Sequence, residues 1–329
     1  MALVKNRGSP VESLLYQVSI TGKAELVRGA LKLKERRKFI MKKVLVCFFC
    51  TTLLVSLIAG SAFAGGTLDK IKSARKFVVG AREGAAPFGF YDKKGNWVGF
   101  SLDIAKEIHK KLEEKLGMEI ELEFKPTTGK TRIPLLVAQA TDLQAGCSTH
   151  NLRREEVIDY SITFFLTGTK LLVRKGSGIK EIEDLKGKAL GSVVGTSNIK
   201  VLRKVNEEGG LGVNIKGYDK YPTAFLALQQ GKIDAISTDD VLLAGLKAKA
   251  PNPEDWEIVG RLLSYEPYGY MMRENDSDFR DFVNTVLIDL IKSGRFYEIY
   301  ERWFGPEGEV PFPMSDDYKT LLELQCWPH

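Results

Sequence analysis

From residue 77 onward, short apolar runs alternate with amphipathic stretches. Phe77-Val78-Val79 has the unbroken apolar character of a buried strand. Residues 88–91 and 97–100 flank Asp92-Lys93-Lys94-Gly95-Asn96, a pattern that predicts a hairpin. Ser101 is placed to cap a helix in which Ile104, Ala105, Ile108 and Leu112 share one face, opposite lysines and glutamates. Ile120, Leu122 and Phe124 alternate with glutamates, which predicts a half-buried strand, followed by a short helix over 133–140 and a strand over 142–145.

After Gly168 the alternation starts again. Strands are predicted over 170–173, 188–194, 213–217, 233–236 and 256–259. Helices are predicted from Asn198 through Val205, over 224–230, and from Asp239-Asp240 onward. Residues 268–272 read as extended, and 278–291 and 295–303 as amphipathic helices split by Ser293-Gly294. Strand–helix alternation favours mostly parallel sheets with flanking helices. Two blocks of about 100 residues predict two α/β lobes. The C-terminal helices have no strands of their own and are expected to pack back on the first lobe. The chain would then cross between lobes near 166–170 and near 264–269, leaving a hinged cleft for a small ligand.

The composition, 44% hydrophobic and 27% charged over 329 residues, is that of an ordinary globular chain. It excludes a disordered chain, a fibrous repeat and a polytopic membrane protein. The formal charge of +6 suggests nucleic acid until its distribution is considered. Residues 1–64 carry 11 Lys/Arg against 3 Asp/Glu, and the rest of the chain 37 against 39, a net of −2. The basic excess belongs to a leader, and no nucleic-acid partner is expected.

That leader has a secretory pattern. Met41-Lys42-Lys43 precedes an apolar run from Val44 to about Ala59, and Ser61-Ala62-Phe63-Ala64 makes a small-x-small cleavage site. A cleaved signal peptide over 41–64 is expected, with an uncleaved anchor as the alternative. Residues 1–40 read as the product of an upstream start codon. Export implies an oxidising compartment. The mature part holds only Cys147 and Cys326, and no disulfide is expected between them. His109, His150 and His329 share no metal-ligand spacing, so neither metal nor cofactor is expected.

Signs of catalysis are few. Gly129-Lys130-Thr131 imitates the end of a phosphate-binding loop, but Phe124 stands where its first glycine belongs. Gly187, Gly191 and Gly195 lack dinucleotide-fingerprint spacing, and no serine sits in a nucleophile elbow. The segment Gly146-Cys147-Ser148-Thr149-His150-Asn151-Leu152-Arg153-Arg154 is more informative. It gathers backbone N–H groups, hydroxyls and an arginine before a helical turn, which suits a carboxylate, although a polar helix-capping loop would look the same. Gly195-Thr196-Ser197-Asn198 offers a second helix N-terminus in the other block.

Gly99-Phe100-Ser101-Leu102-Asp103-Ile104 after a hairpin resembles the signature of the family 3 extracellular solute-binding proteins, the polar amino-acid receptors of ABC importers. The resemblance continues through Arg132-Ile133-Pro134-Leu135-Leu136, the Gly146–Arg154 loop, Asp184-Leu185-Lys186-Gly187-Lys188 and Gly195-Thr196-Ser197. Asp239-Asp240-Val241-Leu242-Leu243-Ala244-Gly245 and the stretch from Asn252 to Gly260 resemble its glutamate/aspartate-binding branch. The resemblance implies the two-lobed type II periplasmic-binding fold, with lobe 1 formed by 65–166 and 268–329 and lobe 2 by 167–267. It implies a monomeric periplasmic receptor that delivers its amino acid to an inner-membrane permease.

Carried over by position, Arg154 holds the ligand α-carboxylate, helped by Thr149 and Ser197. Asp239 pairs with the α-ammonium, near Cys147. Arg82 and Arg132 read a side-chain carboxylate. Ser101 replaces an acidic residue of the family, and three departures in the pocket leave the side chain open: Gly129 and Cys147 replace serines, and Tyr221 replaces a histidine. Tyr221 can donate one hydrogen bond, and Gly129 is expected to make room for a longer ligand. The competing expectations are a receptor for a neutral, larger or aromatic amino acid, and a dehydratase-like enzyme on the same scaffold, for which Glu83 is the one unpaired acid in view.

Overall fold

A computed structural model describes residues 66–328. The secretory pattern at 41–64, residues 1–40 and His329 lie outside the described residues. The described chain begins with α1 (Thr67–Ala74), β1 (Lys76–Arg82), β2 (Gly84–Ala85), β3 (Gly89–Tyr91) and β4 (Trp97–Val98). Then come α2 (Phe100–Leu116), β5 (Glu121–Thr127), α3 (Arg132–Val137), β6 (Leu143–Ala145), α4 (Leu152–Glu155) and β7 (Ile158–Tyr160). The second half holds β8 (Phe165–Arg174), β9 (Ala189–Val193), α5 (Ser197–Glu208), β10 (Asn214–Tyr218), α6 (Tyr221–Gln229), β11 (Ala235–Asp239), α7 (Asp240–Ala248), β12 (Trp256–Val259) and β13 (Tyr265–Tyr268). The last elements are β14 (Met271–Arg273), α8 (Ser277–Lys292), α9 (Arg295–Phe304) and α10 (Asp316–Leu324).

Two principal sheets result. The first has the order β5-β1-β6-β14-β7, with β1 parallel to both β5 and β6 and β14 antiparallel to its neighbours. The second has the order β10-β9-β11-β8-β12, with β13 also on β8. Here β9 runs parallel to β10 and β11, whereas β8 is antiparallel to β11, β12 and β13. The ten residues of β8 serve two purposes. Phe165 to Gly168 pair with β13, and Thr169 to Val173 pair with β11. The two crossings therefore run side by side as an antiparallel ribbon, hydrogen-bonded to each other rather than loose.

An aromatic cluster anchors that ribbon. Phe88, Phe100, Phe165 and Phe304 are fully buried, and their ring centroids lie 5.0 Å (Phe88–Phe165), 5.1 Å (Phe100–Phe304) and 5.1 Å (Phe165–Phe304) apart. Tyr268 of β13 lies 5.3 Å from Phe88. The edge-to-face pairs among them, Phe88–Phe165, Phe88–Tyr268 and Phe100–Phe304, contribute about 0.5–1.5 kcal/mol each beyond their buried area. The crossing strands thus hang from a rigid core of α2 and α9, and Tyr318 of α10 donates to the Phe164 carbonyl at 2.6 Å.

Ser101 does not cap α2. The cap position is Gly99, and Ser101 lies within the first turn with its hydroxyl unpartnered. The hairpin supplies the cap from its backbone: the N–H groups of Phe100 and Ser101 donate to the carbonyls of Pro87 and Phe88. A Cβ at Gly99 would lie 2.1 Å from the Phe88 oxygen, so the close approach requires glycine. Among the described residues no helix is long and apolar enough to cross a membrane.

Candidate functional site

Loops at the C-terminal ends of parallel strands face each other between the two sheets, the usual location of ligand sites in open α/β sheets. From the first sheet, Arg82 ends β1, Arg132 opens α3, and Cys147 and Thr149 follow β6, with Arg154 in the single turn of α4. From the second, Ser197 opens α5, Tyr221 opens α6 and Asp239 ends β11. All eight residues proposed from the sequence therefore lie along one seam, and six of them are buried: Arg82, Arg132, Cys147, Thr149, Tyr221 and Asp239.

Among the described residues no carboxylate pairs with either of the two buried arginines. Arg82 is 4% exposed, and its Nη1 has no hydrogen-bond partner among the described residues. Its guanidinium lies 5.4 Å from the centre of the Tyr221 ring, which comes from the opposite side of the seam. Arg132 is 2% exposed and donates from Nη1 to the Cys147 carbonyl (3.2 Å) and Ser148 Oγ (2.8 Å), while its Nε is unpartnered. Burial, then the neighbouring Arg154 and Arg82, push the Arg132 guanidinium down to about 10. Gln144 and Thr141, fully buried on β6 and just before it, also have side-chain atoms without partners. An unpaired buried cation is strongly unfavourable unless something neutralises it.

Arg154 is fixed by its own loop. Its Nη1 donates to the Thr149 carbonyl at 2.6 Å, which also accepts from the Tyr160 hydroxyl at 2.9 Å. Asn151 caps the turn by accepting from the Arg154 N–H at 3.2 Å. Thr149 Oγ1 meets Ser197 Oγ across the seam at 2.9 Å. Asp239 is 2% exposed, accepts from Asn198 Nδ2 at 2.6 Å and from the Tyr268 hydroxyl, and has no cation beside it in these contacts. Burial, then the nearby Glu266 carboxylate, push its carboxyl up to about 7. Burial likewise pushes up the Cys147 thiol. Cys147 and Cys326 are both free thiols.

Gly129 does not open space. A Cβ there would lie 2.5 Å from the Val194 carbonyl oxygen, and one on Gly195, whose φ is +78°, would lie 2.5 Å from the Gly129 carbonyl carbon. The two glycines close the seam backbone to backbone. At its mouth Lys130 pairs with Asp219 at 2.9 Å and Lys220 with Glu83 at 3.0 Å. Glu83 is therefore a partner in an ion pair rather than a free acid. Among the described residues no cluster of His, Cys, Asp and Glu could hold a metal.

The sequence pattern did not single out Glu266, Asn198, Tyr268 or Gln144. Glu266 and Tyr268 sat in a stretch read only as a crossing, and Asn198 in a helix start. Gln144 sat in a strand. The one available signal was the burial expected for an acid and an amide inside otherwise apolar strands.

The model for bacterial extracellular solute-binding proteins, family 3, matches residues 77–306. The chain belongs to this family. It is similar to the glutamate/aspartate import solute-binding protein of Salmonella typhimurium, 37% identical over 272 residues, covering 80% of this chain and 89% of that one. It is also similar to the L-glutamate/L-aspartate-binding protein of Pseudomonas aeruginosa, at 33% identity over 83% of this chain and 93% of that one. Among solved structures, an ancestral arginine-binding protein bound to arginine superposes with a TM-score of 0.64 at 35% identity, covering 70% of this chain and 98% of that one. The chain thus has the two-lobed type II periplasmic-binding fold of such solved amino-acid-binding proteins.

Proposed function

We propose that this family 3 receptor captures glutamate or aspartate by closing its two lobes and delivers it to the permease of an ABC importer. The observation that carries the reading is the pair of buried guanidiniums, Arg82 and Arg132, with no carboxylate against them among the described residues. A side-chain carboxylate supplies the missing anion. The ionisable groups at the seam agree with a ligand of one net negative charge. Arg82, Arg132 and Arg154 carry three positive charges and Asp239 and Glu266 two negative ones when ionised. A zwitterionic head with one further carboxylate neutralises the remainder. A ligand with a cationic side chain, such as arginine, would add charge of the wrong sign beside Arg82 and Arg132.

Within this reading Arg154 holds the α-carboxylate in the loop that carries Thr149, Asp239 the α-ammonium, and Arg82 and Arg132 the side chain, with the Tyr221 ring fixing Arg82. The lobes comprise 65–166 with 268–329, and 167–267. No catalytic step is assigned: Glu83, the acid in view from the sequence, is engaged by Lys220. The protein acts in the periplasm as a monomer after cleavage near Gly65.

A thermal-shift screen against the twenty amino acids, followed by calorimetric titration of the hits, tests the proposal. Glutamate and aspartate are expected to bind most tightly. Tight binding of a neutral or aromatic amino acid with no binding of glutamate or aspartate would overturn it. Conversion of the ligand to a new product would move the enzyme reading forward.

A further inference from the structure

Glu266 lies on β13, in the crossing ribbon, and is 2% exposed. Among the described residues its side-chain partners are hydroxyls alone: Ser197 Oγ donates to Oε2 at 2.6 Å, Ser264 Oγ to Oε1 at 2.6 Å, and Thr169 Oγ1 reaches Oε1 at 3.5 Å. A carboxylate only accepts hydrogen bonds, and a serine hydroxyl has one proton. Ser197 therefore gives its proton to Glu266, and its oxygen is left to accept. The hydroxyl facing that oxygen is Thr149 Oγ1, at 2.9 Å from the other side of the seam. The direction of the relay is fixed: Thr149 donates to Ser197, which donates to Glu266. Thr149 is in turn tied through its carbonyl to Arg154. A second branch runs from Ser264 Oγ, 2.8 Å from Thr169 Oγ1, through Asn198 Nδ2, which reaches both Thr169 Oγ1 (2.7 Å) and Asp239 Oδ1 (2.6 Å).

We propose that Glu266 is a positioning residue for ligand retention: a buried hinge carboxylate that anchors Ser197 so that closure completes a directed Thr149–Ser197–Glu266 relay and holds the Arg154 loop against the second lobe. The inference rests on the proposed receptor function and deepens it. Three observations support this role over a merely structural one. The acid has no cation to pair with in these contacts, so hydroxyl donors stabilise its charge. The relay crosses the seam, so its last link forms only when the lobes meet. Glu266 and Ser197 both fall within 167–267, so the anchor belongs to the second lobe and only the Thr149 link waits for the lobes to meet. The relay also reassigns both hydroxyls: the single protons of Thr149 and Ser197 are committed along it, which leaves the ligand α-carboxylate to Arg154.

Stopped-flow measurement of glutamate association and dissociation, on wild type, Glu266→Gln, Ser197→Ala and the double variant, tests this. A neutral amide weakens a charge-assisted bond by about half, so Glu266→Gln is expected to release ligand at least about fivefold faster, with association changed by less than about threefold. Ser197→Ala removes the middle link and should speed release by about tenfold or more. Because both act on one relay, the double variant should release ligand no more than about twofold faster than Ser197→Ala alone. Effects that multiply in the double variant would overturn the relay. So would a Glu266→Gln protein whose ligand-free melting temperature falls while its release rate stays at the wild-type value. Should Glu266→Gln fail to fold, Ser197→Ala decides alone, and an unchanged release rate there refutes the inference. Failure of wild type to bind any amino acid would instead overturn the receptor reading, and this inference with it.

Discussion

Replacing Arg82 with methionine separates binding from stability. The Arg82 guanidinium makes no hydrogen bond through Nη1 and lies over one aromatic ring. Methionine keeps most of the stem's apolar packing and removes the charge. The lost cation–π contact is worth roughly 0.5–2 kcal/mol, while the charge removed is one the ligand-free seam does not neutralise. The two terms roughly offset, so the ligand-free melting temperature should stay level or rise by a few degrees, at roughly 2–4 °C per kcal/mol for a chain of this size. Binding responds differently. Truncating one partner of a desolvated charge pair costs about 2–5 kcal/mol, a loss of roughly thirty-fold to several thousand-fold in glutamate affinity. Glutamine, with no charge on its side chain, should change far less. Scanning calorimetry without ligand and titration calorimetry with glutamate and glutamine measure all three quantities. Equal losses for glutamate and glutamine, or unchanged glutamate affinity in a folded variant, would refute the reasoning.

Other consequences can be checked on the same protein. The exposed pairs Lys130–Asp219 and Lys220–Glu83 span the mouth of the seam, so raising salt from about 0.05 to about 0.5 M should speed ligand release by roughly two- to threefold, and the charge-swapped Lys130→Glu/Asp219→Lys variant should behave like wild type. Salt-independent release would count against them as closure contacts. Gly195→Ala places a Cβ 2.5 Å from the Gly129 backbone at a positive φ, so it should weaken glutamate binding by about tenfold or more; affinity within about twofold of wild type would show that closure does not use that contact. Burial and then Glu266 raise the Asp239 carboxyl to about 7 in the closed seam, which favours its protonated form below that pH. That contribution to the ligand-free closed form is fully present below the carboxyl's unfolded value and is lost as the pH rises through about 7. A ligand ammonium favours the ionised form. Binding at pH 6 should therefore release a proton, and affinity should rise with pH by up to about tenfold per unit until it levels off above about 7. Calorimetry in buffers of different ionisation heat reads this directly, and no proton release at pH 6 would contradict the ammonium assignment.

Periodicity made most of the fold legible. The helices Ser277–Lys292 and Arg295–Phe304 fall within two residues of the sequence expectation, because each carries a long amphipathic pattern, and the strand Trp256–Val259 matches it as well. The elements that were not legible are short or get their stability from elsewhere. β2 has two residues, β7 has three, and β13 is held by β8 rather than by its own sequence. Ser101 looked like a cap because capping residues are recognised one position at a time, whereas here the hairpin backbone does the work. The eight candidate residues were found by a family resemblance and by charge. Glu266 escaped because its partners are hydroxyls far apart in sequence, and only the fold brings Thr169, Ser197 and Ser264 to one carboxylate. Gly129 was misread for a similar reason: its neighbour Gly195 is visible only once the lobes meet.

The crystal structure of the protein with bound glutamate tests the central claim most directly. The account predicts the side-chain carboxylate within about 3 Å of Arg82 Nη1 and Arg132 Nε, the α-carboxylate on Arg154 and the ammonium on Asp239. A ligand whose side chain points away from both arginines, or a neutral ligand seated there while an inorganic anion pairs with them, would contradict it.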